Sequence, residues 1–166
     1  MTGLTEEQKT EYFRRSYTAV DGLWFMKVEE ILGFDEALKV DEAVWKVLPK
    51  IQARTLKAMM NLQSGLPGLS RALSSRLAME GFEFEISLDE DGLAVIVRRC
   101  PWHDIMIKSD RGDLSERVSD IICRVENSVW ASEFSGEKGE MQKIEFAREK
   151  RICQGARKCV LKFFII

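Results

Sequence analysis

Hydrophobic residues recur with helical spacing from the start of the chain. Thr5 and Gln8 form a capping-box pattern, and the helix that follows is predicted to run to about Leu32, where Gly33 ends it. This helix carries two apolar stripes, which make it central to the predicted fold. The first stripe is Phe13, Tyr17, Val20, Trp24, Val28 and Ile31, and the second is Tyr12, Ala19, Leu23 and Met26.

Two further helical stretches follow the first helix. The apolar pattern over 34–62 continues through Pro49. Because an interior proline removes one hydrogen bond and clashes with the preceding turn, we predict a kink or a break near Val47. A third, shorter helix is predicted over 66–79, and Gly81 ends it.

The period of the hydrophobic residues then changes to two. Residues 82–88 alternate apolar and polar side chains, which is typical of a half-buried strand. Residues 89–92 read DEDG and predict a hairpin turn. The second arm of this hairpin ends at Cys100, because Pro101 cannot donate to a strand ladder.

A long helix is predicted over 115–134, followed by a second hairpin. The arms of that hairpin are roughly 142–152 and 158–166. The whole pattern predicts an α+β fold: N-terminal helices packed with an antiparallel sheet of about four strands, and a long helix between two hairpins. A length of 166 residues with 45% hydrophobic content suits a single domain over 1–166.

The helix over 115–134 has two faces that are expected to be buried. The face expected to lie on the sheet is Leu114, Val118, Ile121, Ile122, Val125 and Val129, within an arc of roughly 100°. The opposite face is Cys123, Asn127, Trp130 and Phe134, with Glu126 at its edge. This second face must meet either another helix or a bound molecule, and ordinary core packing remains an alternative because Cys and Trp are often simply buried.

Thiols and the one histidine provide the candidate metal chemistry. Cys100 and His103 flank a strand end and a tight turn at a spacing that lets both reach one ion. Cys153 and Cys159 lie at the base of the second hairpin, where they could share a metal, form a disulfide or do neither. If the hairpins are neighbours, a Zn or Fe site is expected from Cys100, His103, Cys123, Cys153 and Cys159. Isolated thiols are the alternative.

Composition and charge exclude several partners. The net charge of −2 gives no general attraction to nucleic acid or an anionic membrane, and no window approaches 18 apolar residues. The basic residues of the last hairpin, including Arg148 and Arg151, are best explained as a solvated face. The N-terminus is polar and acidic, so we expect a cytoplasmic protein whose cysteines are thiols or ligands.

Four segments resemble an uncharacterised prokaryotic family that is largely archaeal. They are AVDGLWFMKVEEILGFDEALKVDEAVW (19–45), RCPWHDIMIKS (99–109), ICRVENSVWASEF (122–134) and RICQGARKCVLKF (151–163). That family is distantly similar to 4-vinyl reductase domains and to L-2-amino-thiazoline-4-carboxylic acid hydrolase-like proteins. The distant similarity is carried by Cys153, Gly155, Cys159 and Phe163. The resemblance implies a small-molecule-binding α+β domain, sometimes metal-bearing, with an internal pocket.

Three functions are compatible with these observations. The preferred one is a domain that binds a metal or a small molecule between the Cys123 and Trp130 face and the N-terminal helices, with Trp24, Glu30 and Asn127 also in contact with the ligand. The second is a hydrolase of a cyclic amide or thiazoline-like C–N bond. In it Cys123 or a metal-bound water would attack, and Glu126 or His103 would move protons. The third is a homodimerisation domain, which predicts a large exposed apolar surface on the monomer.

Overall fold

The computed structural model describes residues 3–136 and 143–166. The chain divides into two compact units, Met1–Asp41 and Glu42–Ile166. The prediction of a single domain over 1–166 stays a prediction. In the described part of the chain, no helix is both long enough and apolar enough to cross a membrane.

Helix α1, Glu6–Leu32, makes up most of the first unit. Its start is the predicted capping box: Thr5 Oγ1 accepts a hydrogen bond from Gln8 N at 3.2 Å, and Gln8 Oε1 accepts one from Thr5 N at 2.9 Å. Gly33 ends the helix with a φ of 87°, which glycine adopts without a Cβ clash. Both predicted ends are confirmed, yet none of the α1 residues is buried.

The second helical stretch is broken where the proline predicts. Helix α2 covers Phe34–Trp45 and helix α3 covers Leu48–Met60. Val47 precedes the first residue of α3, and Pro49 lies in the first turn, where its missing N–H costs no helical hydrogen bond. The break near Val47 is therefore confirmed.

The second unit contains three more helices and a four-stranded antiparallel sheet. The helices are α4 Leu66–Glu80, α5 Pro101–Lys108 and α6 Ser115–Phe134, and short 3₁₀ turns cover Gly112–Leu114 and Ile152–Gln154. The strands are β1 Glu83–Asp89, β2 Gly92–Arg99, β3 Ile144–Arg148 and β4 Cys159–Ile165. Their order is β1-β2-β4-β3, with every pair antiparallel. The α+β fold with a long helix between two hairpins is confirmed.

Two local features differ from the prediction. The segment after Cys100 is a helix, α5, rather than a tight turn, because Pro101 suits a first helical turn as well as a strand end. The first arm of the second hairpin is shorter than 142–152. Ladder pairing ends at Arg148, and the chain enters a 3₁₀ turn at Ile152. Gln142 lies outside the described residues.

Helix α6 buries the face that carries Trp130 more deeply than the face expected to lie on the sheet. Trp130, Ala131 and Phe134 belong to the hydrophobic core of the second unit, together with leucines of α4 and the inward residues of β2. Val118 and Val125, from the face expected on the sheet, are only half-buried. Helix α6 packs against α3, α4 and β3. The second face therefore belongs to a core built by other helices and by the sheet.

Candidate functional site

A buried ion cluster joins α4 to α6. The Arg76 guanidinium donates to both carboxylate oxygens of Glu80, each at 2.9 Å, and also to Glu126 of α6. Arg76 is 4% exposed, and both carboxylates are buried. Because a buried charge is tolerated only when it is paired and hydrogen-bonded, this cluster constrains how the two helices pack.

Trp130 lies beside this cluster with its indole nitrogen unsatisfied. The Arg76 guanidinium is 5.6 Å from the centre of the Trp130 ring, a cation–π distance. The side chain is fully buried, and Nε1 has no hydrogen-bond acceptor among the described residues. An unpaired buried donor costs about 1–3 kcal/mol, so this N–H is an exception that calls for an explanation.

Asn127 and Glu126 lie on or beside the same face of α6 as Trp130. Asn127 Nδ2 donates to the Cys123 carbonyl at 2.7 Å, one turn earlier. Glu126 accepts a hydrogen bond from Arg76. Asn127 therefore shapes the α6 surface beside Trp130, whereas Glu126 anchors Arg76.

Burial perturbs the thiols of Cys100, Cys123 and Cys159. Burial is the main reason that the pKa of the Cys100 thiol is raised to about 12, and the nearby Cys159 and Glu126 act in the same direction. Burial also raises the pKa of Cys123 far above its usual range, with added repulsion from Glu126 and Cys100. The pKa of Cys159 is raised as well, mainly by burial. These three thiols lie close enough to interact electrostatically.

The remaining predicted metal ligands have other partners. His103 Nδ1 and Ser115 Oγ are 2.7 Å apart, and Cys153 Sγ lies 2.8 Å from Ser119 Oγ. All four cysteines are free thiols. Within 3–136 and 143–166, no three or more His, Cys, Asp and Glu side chains are grouped so that they could hold a metal ion. The structure therefore does not assemble the five-residue set Cys100, His103, Cys123, Cys153 and Cys159 around one point.

Trp24 and Glu30, predicted to contact the ligand, are surface residues of α1. Trp24 is 52% exposed, and Glu30 accepts a hydrogen bond from Lys27 Nζ at 2.8 Å in an exposed ion pair. Asp21 of the same helix is half-buried, and this partial desolvation raises the pKa of its carboxyl to about 6.

Sequence reasoning missed Arg76 and Glu80 and misjudged two arginines. Arg76 follows Leu73 by three residues in the apolar periodicity of α4, so a charged residue at a core position was the available signal.

Arg148 and Arg151 do not form a solvated face. The Arg148 side chain is 8% exposed and donates to Asp120 at 3.0 Å, and Arg151 binds the same carboxylate.

Residues 6–136 match the model of a family described as "Family of unknown function (DUF6125)". The chain belongs to this family. The matched segment includes the α4–α6 cluster, Cys100 and Cys123, whereas Cys153 and Cys159 follow it. The predicted membership of an uncharacterised family is confirmed at this level.

The fold is also similar to a solved structure. This is a trafficking protein particle complex subunit 3 from Naegleria fowleri, covalently bound to palmitic acid. The similarity covers 97% of each chain with a TM-score of 0.49 and 10% sequence identity. None of the curated proteins matches the chain in sequence.

Proposed function

We propose that the second unit binds a small molecule where α4 and α6 meet. The observation that carries this proposal is the Trp130 indole N–H, a fully buried donor with no acceptor among the described residues. A bound carbonyl, ether or ring nitrogen would satisfy it, and the surrounding core leucines would contact the apolar part of the ligand.

Charge restricts the class of ligand. Glu80 and Glu126 already occupy the Arg76 guanidinium, and both carboxylates would repel an incoming anion. The proposed ligand is therefore neutral or cationic. The exposed Trp24 and Glu30 have no part in this proposal.

The state of the thiols favours binding over hydrolysis. With a strongly raised pKa, Cys123 stays protonated at neutral pH, and a protonated thiol is a poor nucleophile. Hydrolysis of a thiazoline-like C–N bond by Cys123 would need a base that lowers this pKa. His103 is instead hydrogen-bonded to Ser115.

We further propose a distant relationship to 4-vinyl reductase domains, which would favour a ligand-binding role. It rests on the closing hairpin, in which Cys153, Gly155 and Cys159 precede the aromatic Phe163 of β4. We extend the proposal to a largely archaeal family acting in the reducing cytoplasm, where free thiols persist.

Native mass spectrometry of the intact protein tests this proposal. We expect an added mass that denaturation releases and that Trp130→Phe abolishes, because phenylalanine lacks the N–H. Trp45→Phe is the matched control, since Trp45 is also buried in the second unit but stacks edge-to-face on Trp102. If the wild type carries no added mass and Trp130→Phe unfolds at a higher temperature, Trp130 is a strained core residue and the proposal fails.

A further inference from the structure

Helix α1 exposes an apolar stripe along most of its length. We define the α1 stripe as Phe13, Val20, Trp24 and Ile31, which are 69%, 66%, 52% and 79% exposed. At 100° per residue these side chains fall within an arc of about 40°. Their spacing of seven, four and seven residues is the a/d spacing of a helix that pairs with another helix.

The four side chains of the α1 stripe form one continuous apolar face. The other large exposed hydrophobic residues of α1, Tyr12, Leu23, Met26 and Leu32, lie about 80° or more away from the centre of that face and are not counted with it. A second helix packed on the α1 stripe would bury a narrow apolar seam, as in a coiled coil.

The α1 stripe is symmetric about Gly22. Val20 and Trp24 lie two residues on either side of it, about 3 Å along the axis, and Phe13 and Ile31 lie nine residues away, about 13.5 Å. An antiparallel copy with its two-fold axis at the level of Gly22 therefore sets Phe13 opposite Ile31 and Val20 opposite Trp24. A self-complementary patch is what an isologous dimer requires.

We propose that a second copy of this chain covers the α1 stripe, with the two α1 helices antiparallel and centred at Gly22. A membrane surface is a poorer fit, because α1 carries six acidic and four basic residues, a net charge of −2, where interfacial helices are basic. An unrelated protein would not require the symmetry about Gly22.

Light scattering on the intact chain across a dilution series tests the dimer. We expect the wild type to have twice the monomer mass at micromolar concentration. Ile31→Glu should raise the dissociation constant of the dimer at least tenfold, because it places a carboxylate in the α1 stripe. Met59→Glu is the matched control, because Met59 of α3 is 78% exposed but lies outside the stripe. A monomer at every concentration, or equal effects of the two substitutions, overturns the proposal.

Oxidative cross-linking tests the antiparallel arrangement. The double variant F13C/I31C should form a covalent dimer beyond the background of the wild-type thiols, whereas F13C and I31C alone should not. Parallel helices would instead place each introduced thiol against its own copy, so cross-linking of both single variants overturns the proposal. Circular dichroism of each variant separates loss of pairing from loss of the helix.

Discussion

Arg76 is the buried cation on which two carboxylates of the second unit depend. Arg76→Ala removes a buried cation that hydrogen-bonds to both Glu80 and Glu126, so we expect the free energy of unfolding to fall by about 3–5 kcal/mol. Urea denaturation measures this change. The control is Arg71→Ala on the exposed side of the same helix, expected to change stability by less than about 0.5 kcal/mol. A loss below 1 kcal/mol for Arg76→Ala would show that the cluster does not hold the helices together.

The buried thiols make the protein less stable at alkaline pH. Unfolded cysteine titrates near 9.0, whereas the folded Cys100 thiol keeps its proton until about pH 12. The folded state therefore binds more protons above pH 8, and the free energy of unfolding falls as pH rises towards 10. Cys100→Ser should flatten this decline but leave the slope between pH 6 and 8 unchanged. Parallel curves over the whole range would contradict the raised pKa.

Sequence-based prediction of the site finds residues that share one helix but not residues that meet across two helices. Trp130 and Cys123 are indicated by their position on one face of a helix, because helical spacing alone brings them together. Arg76 is fifty residues from Glu126 in the chain, and only the packing of α4 on α6 makes them neighbours. The same applies to Ser119 and Ser115, whose contacts with Cys153 and His103 also depend on tertiary packing.

At the level of elements, the start of α4 depends on Gly68. A Cβ on Gly68 would lie 1.9 Å from the Gln63 carbonyl oxygen and 3.3 Å from Phe134 of α6. Because the nearest atom belongs to the backbone, we expect Gly68→Ala to lower the midpoint of thermal unfolding and cost about 1–3 kcal/mol.

Gly22→Ala is the control for that substitution. Gly22 also lies within a helix, but nothing lies within 4 Å of its added Cβ. Alanine should stabilise α1 by about 0.5–1 kcal/mol, so the two substitutions are expected to shift the thermal midpoint in opposite directions. Equal shifts would mean that α4 can move away from the Gln63 turn at little cost.

Helix α6 illustrates how an element can be located from its sequence while the roles of its faces are not. Its ends at Ser115 and Phe134 follow from the apolar period and the absence of Gly and Pro. Periodicity finds two apolar faces but gives no information on their neighbours. Trp130 is a core residue because α3, α4 and the inward residues of the sheet pack into the same cluster.

For the whole molecule, the second unit should fold without the first. Every residue of its hydrophobic core lies between Ala53 and Phe163. A fragment of 42–166 is therefore expected to show a cooperative urea transition and near-ultraviolet circular dichroism. The control fragment 66–166 lacks α3, which contributes Ala53 to that core, and should unfold without a sharp transition. Non-cooperative unfolding of 42–166 would support the single domain over 1–166.

The sequence by itself determined the elements whose causes are local. Neighbours a few residues apart produce the capping box at Thr5, the break before Pro49, the helix ends at glycine and the alternation in β1 and β2. The α+β class follows from these elements. Tertiary structure alone decided which polar residues meet. The Arg76–Glu126 pair, the unsatisfied Trp130 nitrogen and the contacts of His103 with Ser115 and of Cys153 with Ser119 join distant segments, which no local period encodes.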